Sequence, residues 1–153
     1  MVGSIEIRMV CVMKRKNTDQ LLKELMDSND LSRVLSDNST CFREGDLPHG
    51  LQMLFDQQDM SKSALAKASG ISEVYLHQVF SGRRTPSRDR LLCLCIGLGA
   101  SAEEAQSLLQ QAHHAPLYAR DKRDAVLLFG LSHSLTLPEI NDALFTAGAE
   151  TLL

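Results

Sequence analysis

The stretch MSKSALAKASGISEVYLHQVFSGRRTPS, residues 60–87, decides how the chain is read. Ser61 is placed to cap a helix on which Leu65, Ala66 and Ser69 share one face. Gly70 supplies the positive φ that a sharp helix exit needs. Ile71 then turns inward, Ser72 caps a second helix, and Leu76 and Val79 continue the apolar stripe. The spacing therefore predicts two short helices over 61–69 and 72–81, joined by a tight turn. A basic loop with Arg83 and Arg84, then Pro86, follows the second.

Working outward, Leu47-Pro48 opens an earlier helix, because proline in a first turn lacks only an N–H that would have no partner there. Leu51, Leu54 and Phe55 form its apolar face, and it ends before Asp59. Downstream, Pro86-Ser87 opens a leucine-rich helix with Leu91, Leu92, Leu94, Cys95 and Leu98, closed by Gly97 and Gly99. These four helices over residues 47–99 resemble the helix-turn-helix domain of Cro and phage repressors, the XRE family. One departure is Ser69, where that family usually has an apolar residue before the turn glycine; serine is small enough to pack there.

The resemblance implies an all-α, repressor-like bundle that binds double-stranded DNA, with helix 72–81 in the major groove as recognition helix. Carried over residue by residue, the base-contacting positions fall on Ser72, Glu73, Val74 and Gln78. Gln78 suits the N6 and N7 edge of adenine, Val74 a thymine methyl, and Glu73 a cytosine amino group. An acid in a first turn is also stabilised by the helix dipole with no DNA present, so Glu73 has two readings. Phosphate contacts are expected from Ser61, Lys62 and Ser63 at the start of the first motif helix. Tyr75 and His77 are further phosphate neighbours; their alternative is partial burial or plain exposure. Arg83 and Arg84, with Arg88 behind them, occupy the loop that commonly grips phosphate in this family. The family also implies a bacterial or phage transcription regulator acting as a homodimer, with half-sites about 34–36 Å apart.

Past Gly99 the sequence echoes itself at an offset of 35 residues. Arg88-Asp89 lines up with Arg123-Asp124, Leu92 with Leu127, Glu104 with Glu139, Leu109 with Leu144, Ala112 with Ala147, and Leu117 with Leu152. Both copies carry a capping-box pattern, Ser101-x-x-Glu104 and Thr136-x-x-Glu139. Each copy is expected to be a helical hairpin, the second packing on the first and extending the core. Two copies are too few for a solenoid.

At the other end, Ile5, Ile7 and Met9 alternate with polar residues, compatible with a short strand or a poorly anchored tail. Leu21, Leu22, Leu25 and Met26 recur at helical spacing with Thr18 or Asn17 as cap, and Leu31, Val34 and Leu35 add further helical turns. The expected division is an N-terminal tail and helical arm over 1–46, the DNA-binding domain over 47–99, and a C-terminal helical module over 100–153. Either the arm or the C-terminal module is a candidate dimer surface.

Composition sets the outer limits. The 153 residues are 44% hydrophobic and 23% charged, an ordinary globular balance with material for a core. The formal charge of −3 is unevenly spread. Residues 47–99 carry six Lys/Arg against four acids, a net of +2; residues 100–153 carry three against seven, a net of −4. Distribution matters more than the sum for a nucleic-acid binder. Cys11, Cys41, Cys93 and Cys95 form no C-x-x-C pair and read as reduced thiols, with Cys93 or Cys95 in the core. No run approaches the ~18 apolar residues of a membrane span, and the basic Lys14-Arg15-Lys16 follows an apolar run instead of preceding it as in a signal peptide. A cytoplasmic protein without metal or cofactor is expected.

No metal-ligand spacing, phosphate-binding glycine loop or nucleophile–base set points to an enzyme. His113-His114 are adjacent, so they diverge on a helix end and make a poor metal clamp. The rival to DNA binding is a protein-interaction module or antitoxin-like adaptor on the same scaffold, with a protein partner on the C-terminal helices. Glu73 and the acidic C-terminal half would suit it.

Overall fold

A computed structural model of the chain describes residues 17–39 and 46–153. The described residues form nine helices and no strand, so the fold is all-α as expected. The readings for residues 1–16, and those for Cys11 and Cys41, lie outside the described residues. The chain divides into two compact units, Met1–Glu44 and Gly45–Leu153.

The first unit holds α1 (Thr18–Asp27) and α2 (Leu31–Asp37). Asn17 is the cap of α1, in a complete capping box: its Oδ1 accepts from the Gln20 amide, and Gln20 Oε1 accepts from the Asn17 amide. Asp30 caps α2. Asn38 Nδ2 joins the pair by donating to the Val34 carbonyl and to Glu24 Oε1. Val34 is buried, whereas Leu22, Met26 and Leu31 are exposed.

The second unit contains α3 (Leu47–Asp56), α4 (Lys62–Ser69), α5 (Glu73–Phe80), α6 (Arg88–Gly97), α7 (Ala102–Gln111), α8 (Lys122–Ser132) and α9 (Leu137–Thr146). One core runs through it, from Leu51, Leu65 and Leu76 to Leu127, Ile140, Leu144 and Leu152, all fully buried. The expected boundary at residues 99–100 falls inside this unit. Helix α6 is the central post: every side chain from Leu91 to Ile96 is buried, as in a helix enclosed on all sides. Gly97 lets α4 cross it closely, since an added Cβ would lie 3.1 Å from Ser69 Cβ and 3.2 Å from Leu65 Cδ1. The same crossing explains Ser69. A large apolar side chain would push α4 away, and the buried Ser69 hydroxyl is satisfied by donating to the Leu65 carbonyl at 2.7 Å.

The 35-residue echo is a shared hydrogen-bond framework, not only a leucine pattern. Arg88 Nη1 and Nη2 grip the Asp124 carboxylate at 3.2 and 3.0 Å, and Arg123 grips Asp89 at 2.9 and 3.0 Å. Arg88 also donates to the carbonyls of Ala115 and Pro116; Arg123 donates to those of Glu150 and Thr151, each 35 residues on. Gln106 holds the backbone of Leu117 through two bonds, and Asn141 holds Leu152 in the same way. Each copy's arginine thus reaches the other copy's aspartate, the exchange that a twofold relation produces. One expected match is partial. Ser101 and Glu104 close a full capping box, whereas Glu139 takes its bond from the Thr136 hydroxyl instead of the backbone.

Cys93 and Cys95 are both buried and both free. Burial pushes the Cys93 thiol up to about 11, with nearby Asp89 adding to the shift, and pushes Cys95 up to about 12. Thiolate is the reactive form, so at a pH of about 8 both are expected to resist iodoacetamide in the native protein and to react once it is denatured. Peptide mass mapping checks this. Labelling of either cysteine in the native state would contradict the packing.

Candidate nucleic-acid interface

The turn between α4 and α5 is built from local chemistry. Ser61 Oγ accepts from the Ala64 amide at 3.1 Å and caps α4. Gly70 exits it with φ 67°, and Ser72 Oγ caps α5 by accepting from the Tyr75 amide at 3.2 Å. The inward positions expected from the sequence, Leu65, Ala66, Ile71, Leu76 and Val79, are all buried. With Leu76 and Val79 turned in, the outer side of α5 presents Glu73, Val74 and His77, with Gln78 half-buried.

Ser72, Val74 and Gln78 border one open groove of about 520 Å³, and Arg84 and Arg90 form part of its wall. Three of the four base-contacting candidates are therefore brought together. Glu73 is exposed on the same helix but does not border the groove. Val74, 69% exposed, is an uncovered aliphatic side chain at its edge.

The phosphate candidates separate. The loop after α5 folds back on the helix end, with the amides of Arg83 and Arg84 both donating to the Gln78 carbonyl and Gly82 at φ 80°. This fixes the origin of both arginine side chains, which are exposed. Ser63 and His77 are exposed. Lys62 lies over aromatic rings, its Nζ 3.2 Å from the Phe80 centroid and 4.6 Å from that of Phe55. Desolvation there pulls its ammonium below the usual lysine range, against the opposing pull of Asp56.

One expectation needs correcting. Arg88 does not join the loop arginines. Its guanidinium is turned into the molecule, held by Asp124 and two carbonyls, and four of its five N–H donors are occupied. Tyr75 follows its alternative reading, burial: its ring lies in the groove wall beneath the Arg84 and Arg90 guanidiniums, at 5.2 and 4.5 Å.

Arg90 and Leu153 also line the groove, and sequence reasoning missed both. A usable signal was present for Arg90. Residues two apart on a helix point about 200° away from each other, so Arg88 and Arg90 could not both face the loop.

Against known proteins, residues 46–108 match the family model of a helix-turn-helix domain. The match takes in α3 to α6 and most of α7, and none of the second copy. No curated protein and no solved structure matches the chain. Among the described residues no helix is long and apolar enough to cross a membrane, and no group of three His, Cys, Asp or Glu could hold a metal ion.

Proposed function

We propose that this chain is a sequence-specific, double-stranded DNA-binding transcription regulator of the Cro and phage-repressor (XRE) type, non-enzymatic and bacterial, with α5 lying in the major groove. The observation that carries this reading is the groove that sets Ser72, Val74 and Gln78 beside an arginine wall. A helix presenting a hydrogen-bonding amide and an aliphatic side chain has the chemistry to read base edges. The neighbouring guanidiniums supply sequence-independent attraction to phosphate. Residues 46–108 supply the matching helix-turn-helix scaffold. A homodimer belongs to the same reading, since one α5 covers only a half-site. Phe129 and Phe145, exposed on α8 and α9, support a C-terminal dimer surface.

Selection of bound duplexes from a random pool tests the reading. The wild-type chain is expected to enrich one short motif. Gln78→Ala is expected to relax preference at a single base pair by about 1–3 kcal/mol, whereas Arg84→Ala lowers affinity for every sequence alike. If no sequence is enriched even at low salt, the reading fails. The protein-interaction alternative, which draws on Glu73 and the exposed phenylalanines, would then take its place.

A further inference from the structure

We propose that Arg90, which lies outside the two motif helices, joins Arg84 on the ring of Tyr75 to clamp a single backbone phosphate of the bound duplex. The proposal rests on the duplex-binding reading above and adds a contact to it.

Three observations lead there. First, two guanidiniums lie over one ring, and neither side chain has a hydrogen bond or ion pair among the described residues. Two guanidiniums on one ring without a counterion repel each other, and an anion that reaches both offsets that repulsion. Second, the support is fixed. Tyr75 is buried, the Arg84 amide is tied to the Gln78 carbonyl, and both arginines border the groove. A planar guanidinium fork matches phosphate oxygens well.

Third, the internal repeat separates what the fold needs from what it does not. Arg88 and Arg123, Asp89 and Asp124, and the carbonyls these arginines hold all recur at 35 residues. The counterpart of Arg90 is Ala125. The hairpin therefore forms with no cation at this position. Arg90 is an addition found only in the copy that adjoins α5. A phosphodiester is the anion that fits, because the clamp borders the same groove as Ser72, Val74 and Gln78.

The test uses the full chain and, as probe, the duplex recovered by the random-pool selection, with affinity followed against salt. Arg90→Ala is expected to weaken binding about 10-fold at low salt, equally for matched and mismatched duplexes. It should also flatten the log–log salt slope by about one. Arg90→Lys should restore the slope while recovering only part of the affinity, since a point charge replaces the fork. The thermal midpoint of each variant, read alongside, should stay at the wild-type value. If wild-type protein binds but Arg90→Ala keeps both affinity and slope, the clamp is wrong and the duplex reading stands. A loss confined to one base pair with an unchanged slope also overturns it, making Arg90 a base reader. Failure of the wild-type chain to bind any duplex removes the underlying reading, and the clamp with it.

Discussion

Raising salt from about 50 mM to about 200 mM is expected to weaken duplex binding by roughly 10³-fold or more. The formal charge of −3 would suggest the opposite, a protein repelled by DNA whose binding salt assists. Local charge decides instead, because exposed charges more than about 8–10 Å apart are largely screened at these salt levels. Lys62, Arg83, Arg84 and Arg90 stand on or beside the α4–α5 face, while the excess of acid belongs to residues 100–153. Each cation seated on a phosphate releases about 0.9 counterion, and a homodimer doubles the number. The measurement is fluorescence anisotropy of a labelled duplex over a salt series. A nearly flat log–log slope would mean that these cations do not meet phosphate, and the place proposed for α5 in the major groove would then fall.

Replacing Asp124 by alanine is expected to destabilise the Gly45–Leu153 unit by about 2–4 kcal/mol, because it strands a partly buried charge. Asp124 accepts both Arg88 bonds and the Tyr118 amide at 3.0 Å, and its side chain is only 10% exposed. Removing the carboxylate leaves the Arg88 guanidinium facing carbonyls alone. Arg88 is 24% exposed and regains some hydration, which keeps the loss below that of a fully buried pair. The matching change, Asp89→Ala, breaks a pair of the same geometry and leaves Arg123, 21% exposed, much as Arg88 is left. Asp89, however, is itself 40% exposed and, unlike Asp124, accepts from no backbone amide among the described residues. Its loss should be about 1 kcal/mol or less. Hydrogen bonding to Asp89 holds Arg123 above the usual arginine range, which marks a real contact but not a large stabilisation. Thermal unfolding of the two variants side by side is the check, with a drop of roughly 10 °C expected for Asp124→Ala. Equal drops would show that burial is not what distinguishes the pairs.

What was legible in advance follows from the range of the interactions involved. Caps and turns are short-range: Ser61 bonds an amide three residues on, as does Ser72, and Gly70 needs only its own φ. The inward stripe of Leu65, Ile71, Leu76 and Val79 was legible too, since helical periodicity alone determines which face is apolar. The destinations of the long basic side chains were not. Lys62 rests on Phe55 and Phe80 because a helix crossing brings those rings under it. The repeat could be read as a spacing, but its reciprocal arginine–aspartate exchange appears only once α6 and α8 are packed.

The sequence by itself therefore determined the all-α class, the two helices of the helix-turn-helix and the turn between them, the 35-residue echo and the buried apolar face. Each of these depends on neighbours within a few residues or on a regular period. Only the tertiary structure decided which arginines are available to a ligand. Arg88 and Arg90 are two residues apart and equally basic in the sequence, yet Arg88 is committed to a carboxylate 36 residues away and Arg90 is left at the groove. The strength of a cation's partnership falls with distance in space and not along the chain, so its role is settled only when the helices meet.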